Sequence, residues 1–434
     1  IAAKPTDQFE AGGNISYERF GLIDGSAYVS GPLSETLKAR VAVRGVSGGE
    51  WQYSLTRPED RRGATRLLIG RALIDWTPSD RVAFTLNVNG FRDRSDTQAQ
   101  QYEENILNVS PAANPNNPYA IVDPARYAAL TNPSSPGYDP SFIGRQQLLI
   151  ARLQGASGPE LQQITNGSLS GPVAPRNARA ADWTSEWPRQ LDKKYYQVAL
   201  RGGIDLTDDI KLTSITAYQR LDSDVYQDLD ATAVVAMDYR QFGTVKSFSQ
   251  ELRLSGETGR LNWIVGGNYD HVKQDETAEP HFGGLSLTEP APGLIFTVAQ
   301  NRLTQNVKTL AAFANVEFEI VDNLTLQGGI RYTDVNRTAG ICSSDPTAAQ
   351  NISTFFGAIT GVPIAPGQCY QVDVTTFRPV LTPDIRTLDE NNTSWRLGIN
   401  YTTGNGGLLY ANASRGYKAG IFSTVLCSFT IQND

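Results

Sequence analysis

Six arginines are the side chains of this sequence best suited to chemistry. Arg40, Arg44, Arg201, Arg253, Arg331 and Arg396 each stand at a polar position in a stretch where apolar and polar residues alternate. A guanidinium presents a rigid fork of donors that matches a carboxylate or phosphate, so several on one surface could bind an anion. Simple solvation, or pairing across strands with a carboxylate such as Glu251, accounts for them as well. Other chemistry is sparse. There is no G-x-S-x-G, no H-E-x-x-H and no P-loop. Glu317 and Glu319 could be read as an acid–base pair, but carboxylates on a wet wall are ordinarily solvated or paired with arginine. His271 and His281 are the only histidines, one at a strand end and one in a loop, and read as solvated surface residues. The three cysteines form no C-x-x-C, which removes the common zinc and redox spacings. No enzyme, metal site, haem or other cofactor is expected.

The elements that must carry these arginines announce themselves by a period of two. Leu37, Ala39, Val41 and Val43 alternate with Lys38, Arg40, Ala42 and Arg44. Val82, Phe84, Leu86 and Val88 alternate with Ala83, Thr85, Asn87 and Asn89. Val198, Leu200, Gly202 and Ile204, then Ala312, Ala314, Val316, Phe318 and Ile320, then Trp395, Leu397, Ile399 and Tyr401 repeat the pattern. Each run is a strand with one apolar and one wet face. The stretch 64–76 is imperfect, because Leu67, Ile69 and Leu73 share a face with Arg71 and Asp75. About 13 strands are expected: 9–19, 24–31, 37–46, 64–76, 81–92, 193–206, 210–226, 241–255, 260–275, 302–320, 324–337, 392–402 and 407–415.

Connections alternate too. Short polar turns fall at 34–36, 77–80, 207–209, 256–259, 321–323 and 403–405. Long polar segments fall at 47–63, 93–191, 227–240, 276–301 and 338–388, and only the connection near 20–23 is short on that side. The segment 93–191 reads as a long loop inserted in the sheet, with a short helix near Phe142–Leu153. Many strands exceed the five or six residues usual in soluble proteins and reach the roughly 9–11 that cross a bilayer with a tilt. Long strands, tight turns at one end and long loops at the other make the pattern of an antiparallel transmembrane β-barrel. Trp76, Phe91, Tyr218, Trp263, Tyr269, Tyr332 and Tyr410 lie near strand ends and suit interfacial girdles.

Composition agrees. The formal net charge is −7 and 19% of residues are charged, so no basic stripe offers itself to nucleic acid. No apolar run reaches the roughly 18–20 residues of a spanning helix. Barrel strands are only half apolar, which leaves hydropathy averages low.

Several stretches resemble TonB-dependent outer-membrane receptors. Gly31-Pro32-Leu33-Ser34-Glu35-Thr36-Leu37 followed by Arg40-Val41-Ala42 resembles that family's second periplasmic turn, and Asp75-Trp76-Thr77-Pro78-Ser79-Asp80 the next. Leu212 to Tyr218, Gln250 to Ser255, Gly328 to Thr333 and Ser414 to Gly420 resemble later family strands. The resemblance implies a 22-stranded barrel with a plugged lumen, of which residues 1–434 supply about 13 strands. The opening IAAKPTDQFEAGG has no charged and apolar leader pattern and resembles the plug-to-barrel junction, so plug and TonB box are not expected here. The end, FSTVLCSFTIQND, does not resemble the family's last strand. An open sheet with two unpaired edges is therefore expected, unable to transport alone.

By the same resemblance, the six arginines face the lumen, where they would meet plug carboxylates or an anionic ligand, and the segments 93–191 and 338–388 are extracellular. Cys342 and Cys369 both fall in the second, outside the reducing cytosol. A bridge between them is expected, with free thiols or pairing to Cys427 as alternatives. The implied function is TonB-coupled uptake of a scarce large solute, a ferric siderophore first among the family's substrates, across the outer membrane of a Gram-negative bacterium. The partners would be outer-membrane lipid, the TonB complex and the solute. A passive porin-like channel and a soluble carbohydrate-binding β protein are the other readings.

Overall fold

A computed structural model describes residues 3–101, 134, 177–229, 231, 233, 237–282, 297–346, 352–373 and 376–422, and the backbone of 429–430. Thirteen strands form one sheet in which every strand pairs antiparallel with its sequence neighbour. They are β1 Glu10–Glu18, β2 Leu22–Pro32, β3 Leu37–Gly48, β4 Thr65–Ser79, β5 Val82–Asp93, β6 Asp192–Asp205, β7 Ile210–Asp228, β8 Met237–Thr258, β9 Leu261–Phe282, β10 Gln300–Val321, β11 Leu324–Ser344, β12 Asp384–Thr402 and β13 Leu408–Arg415. No described pairing joins β1 to β13, so these are the sheet's two edges. Among the described residues no helix is long and apolar enough to cross a membrane.

Every expected strand is present, but several run further than alternation alone indicated. β8 and β9 have 22 residues each, and β12 starts at Asp384 rather than at 392. Their distal ends, such as Asp389-Glu390-Asn391 of β12, are polar on both faces. Backbone pairing with a neighbour holds them, and no hydrophobic period marks it. The expected helix near Phe142–Leu153 lies outside the described residues, as does nearly all of the inserted loop. A helix that the pattern did not announce, Ile352–Thr360, stands in the 338–388 segment.

The nearest-neighbour order places the short turns at one end and the long connections at the other. Asp80 and Asp208 lie together, since Arg81 in the β4–β5 turn pairs with Asp208 in the β6–β7 turn at 2.9 Å. Arg260 likewise bridges to Asp322 of the β10–β11 turn at 2.7 Å. At the opposite end β1 and β2 are joined by the single turn Arg19–Gly21. There Gly48, at φ +105°, lies so close to the Gly21 carbonyl that a Cβ would stand 2.2 Å from its oxygen.

Register sorts the faces. Val82, Ile204, Leu212, Leu254, Val265, Ala314, Ile330 and Trp395 are successive cross-strand partners on β5 to β12. Directly paired residues share a face, so this apolar row runs unbroken over eight strands. Many of its members are exposed, Ile330 at 54% and Val265 at 44%, as a lipid-facing surface requires. The next row, displaced by one residue, is Ala83, Gly203, Thr213, Arg253, Gly266, Phe313, Arg331 and Ser394. It is polar and lies on the opposite face. Gly266 has a use there: the Phe313 ring covers it, and a Cβ would come within 2.7 Å of that ring. Trp76, Tyr218, Trp263, Tyr269 and Tyr332 lie on the apolar face. Phe91 and Tyr410 do not: Phe91 stacks on Tyr195 on the polar face at 5.4 Å, and Tyr410 pairs with Asn400. Position near a strand end is silent about face, which only the parity decides. The imperfect stretch in β4 resolves the same way, with Leu73 pairing with Arg40 and Asn87 on the polar face, where it is 7% exposed.

Ile330→Arg places a charge in the middle of the lipid face and should cost roughly 2–4 kcal/mol. Gln327→Lys, on the polar face beside Glu317, should change stability by about 0.5 kcal/mol or less. Urea titration of the complete receptor refolded into vesicles measures both.

Candidate functional site: the lumen wall and the extracellular platform

All six arginines lie on the polar face, but they do not form one cluster. Arg201, Arg253, Arg331 and Arg396 sit on β6, β8, β11 and β12 in neighbouring rows of the wall. Arg253 lies 3.5 Å from Glu251, and Glu251 and Asn268 are direct partners across β8 and β9. Arg331 donates to Asn268 Oδ1 at 2.7 Å and to Thr333 Oγ1 at 3.2 Å. Arg40 and Arg44 stand apart on β3 and are held by their own hairpin. Arg40 packs over the Tyr28 ring at 3.9 Å, and Arg44 donates from Nε to Asp24 Oδ1 at 2.9 Å. Among the described residues, Arg201 and Arg396 alone of the six have no hydrogen bond, ion pair or ring contact. Around them the wall is a lattice of amides, in which Asn89 donates to Gln197 at 2.9 Å and Tyr195 to Gln219 at 3.0 Å. Glu317 and Glu319 belong to this wall and are flanked by no partner set for acid–base work.

Above the sheet, the long connections build a second structure. In the β3–β4 connection Gln52–Ser54 pairs with Arg61–Arg62 and, in parallel, with Ala180–Ala181 of the β5–β6 connection. Burial there is polar. Asp182, 2% exposed, accepts from Thr56 Oγ1 at 2.9 Å. Asp60 accepts from Trp183 Nε1 and from Arg189 Nη1, each at 2.9 Å. Arg62 is 1% exposed beside Trp183, Asp228 and Asp96. Burial pushes its guanidinium below the ordinary arginine value, and the carboxylates of Asp228, Asp96 and Asp238 oppose that. No sequence motif marks Arg62. It sits in a polar stretch with no period, and only the packing of two distant connections buries it.

The second platform element is a small apolar core of Ala299, Ile352, Phe356, Tyr370 and Val372. Phe356 stacks on Tyr370 at 4.7 Å. Cys342, at the end of β11, is bonded to Cys369 with Cα atoms 5.2 Å apart, which ties this core to the barrel wall. Cys427 lies outside the described residues. His281 is also in the platform, at the long-connection end of β9 rather than in a loop. It packs on the Trp187 ring at 4.6 Å and is half-buried, not solvated. Burial pushes its pKa below the ordinary value, while Glu279 acts in the other direction. His271 lies in the same strand and donates from Nε2 to Asn306 Oδ1 at 2.6 Å. No group of acidic, histidine or cysteine side chains among the described residues is arranged to hold a metal ion.

An apolar outer face, a polar inner wall, tight turns at one rim and built-up loops at the other define an outer-membrane β-barrel. The family model for the TonB dependent receptor-like β-barrel matches residues 137–433, and the chain belongs to that family, whose members sit in the outer membrane of Gram-negative bacteria. The ferric yersiniabactin uptake receptor FyuA from Yersinia pestis superposes with a TM-score of 0.59 at 12% identity, over 94% of this chain and 47% of that one. The siderophore receptor PiuA from Acinetobacter baumannii gives 0.60 at 11% identity, over 95% and 50%. The copper transporter OprC gives 0.52 at 9%, over 98% and 48%. At such identities the likeness is one of fold, and the chain spans about half the length of these structures. No curated protein sequence matches it.

Two outcomes are expected of the platform. The 342–369 bridge closes a separation of 27 residues, so a C342S/C369S variant should lose about 3–4 kcal/mol of platform stability. Limited proteolysis of the complete receptor should then cut near the helix Ile352–Thr360 while leaving the barrel intact. The depressed His281 pKa means that the opened state binds the proton better. The Trp187 packing is therefore fully stable above the ordinary value of about 6.5 and is lost as pH falls below it. Relative to the intrinsic rate at each pH, hydrogen exchange of peptides holding Trp187 should rise as pH falls from about 7 to about 5, and an H281F variant should not show the rise.

Proposed function

We propose that the chain is barrel wall and extracellular platform of a receptor that takes up a scarce, large, anionic solute with energy from TonB, a ferric siderophore being the first candidate. The observation that carries the reading is the concentration of polar donors on the polar face, with Arg201 and Arg396 left without described partners below a loop structure stiffened by its own core and bridge. A ferric siderophore commonly presents carboxylate or catecholate oxygens, which guanidinium groups recognise by charge-assisted hydrogen bonds. The names of FyuA and PiuA support the class, and that of OprC shows that the fold also serves copper. Coupling to TonB would act through a plug held against the same wall, its carboxylates competing for the same arginines. Proteins of this family are transport receptors rather than enzymes.

The test is uptake of radiolabelled ferric chelates by cells expressing the complete receptor. Uptake should saturate, vanish when TonB is deleted, and fail when residues 1–434 alone are expressed. An R201A/R396A variant should raise the half-saturating concentration by roughly tenfold, from about 1.5 kcal/mol of lost charge-assisted bonding. Uptake that rises linearly with concentration and ignores TonB would replace this reading with a passive channel.

A further inference from the structure

We propose that residues 6–9 act as a mechanical clamp, which passes a pull on the chain ahead of them into β2 and β3 and so keeps β1 in the wall. The inference rests on the TonB-coupled reading only for the source of that pull.

β1 enters the sheet as an edge strand. Among the described pairings it is held by β2 alone, through nine direct partners from Glu10–Ser30 to Glu18–Leu22. A pull on Glu10 directed away from the sheet would peel these pairs one at a time, beginning with Glu10–Ser30. An edge strand has no second neighbour to share that load.

The segment just ahead of β1 grips the wall at that first pair. The Thr6 amide donates to Ser30 Oγ at 2.9 Å, and the Thr6 hydroxyl is bonded to the same oxygen at 2.9 Å. Asp7 forms an ion pair with Lys38, which stands on β3, one strand further from the edge. Phe9 passes so near β2 that a Cβ on Gly31 would stand 3.0 Å from the Phe9 Cα. Gly31 is not at a positive φ, so close approach accounts for the glycine. Ser30 and Gly31 are the only buried residues of β2.

These contacts are not needed to set the register of β1, which the nine pairs and the turn Arg19–Gly21 already fix. What they add is a path for force. A pull reaching Thr6 must break contacts with two strands before it reaches Glu10. Those strands are paired continuously, β2 to β3 over ten positions and β3 to β4 over twelve. The contacts differ in weight. The ion pair is exposed, with Asp7 at 85%, so solvent and salt weaken it. Ser30 is 2% exposed, and losing Thr6 would leave its hydroxyl buried without that partner. Ser30 is therefore the main grip.

The experiment pulls the complete receptor in a supported bilayer from its short-turn side, at constant force. The handle is coupled to K4C, an exposed position, in a C427S background. Release of β1 is recognised by a step of about 30 Å, from nine residues at about 3.3 Å each. The lifetime before that step reports the barrier to release. S30A should shorten it roughly tenfold. T6P should do the same, since it takes both donors from the segment and leaves the wall untouched. R81Q breaks an ion pair between two turns of the same rim and should leave the lifetime unchanged. Equal lifetimes in wild type, S30A and T6P overturn the proposal, and so does an equal shortening by R81Q. Neither TonB nor solute is present, so this outcome is separate from that of the uptake assay.

Discussion

A backbone inside lipid has no water to pair with, so every N–H and C=O at membrane depth must find its partner within the protein. The rest of this structure answers to that constraint. It explains why thirteen strands follow one another without a crossover, each hydrogen-bonded to its predecessor. It explains why a connection as long as the β5–β6 insertion leaves the register of the flanking strands undisturbed, with Val82 opposite Ile204 and Val88 opposite Val198. Once pairing is continuous, parity does the remaining work. A single displacement separates the Ile330 row, made for acyl chains, from the Arg331 row, made for water and solute.

The alternation of side chains made the strands, the short turns and the faces of the arginines readable before any coordinates. Val82 to Val88 and Trp395 to Tyr401 carry their orientation in their spelling. The distal halves of β8, β9, β11 and β12 do not, because both faces are wet there and a polar strand has no hydrophobic period. The platform was less legible still. Arg62, Asp182 and Trp183 meet only because connections more than a hundred residues apart pair edge to edge, and the helix Ile352–Thr360 follows a polar stretch that reads as loop. The candidate site was half visible: the residue types and face of the six arginines could be named, but not that Tyr28 and Asp24 hold two of them. Phe91 and Tyr410 show the opposite failure, since an aromatic near a strand end suggests a girdle until register places it on the lumen face.

Charge is spent differently on the two faces. On the lumen wall, arginines are interleaved with amides and with carboxylates such as Asp24, Glu251 and Glu317, which keeps the surface hydrated and its field moderate. Beyond the apolar band on the outside, aspartates are occupied by arginines and lysines are left over. A chain with a net charge of −7 thus distributes its cations unevenly between its two faces. That is not visible in the total.

The length of the strands has a further consequence. At 22 residues and a tilt of about 40°, β8 and β9 climb about 55 Å, while the apolar band needs only about 25 Å. More than half of the height of these two strands therefore stands outside the apolar band. Above the band both faces of these strands meet water, so the connections they carry are held well clear of the membrane.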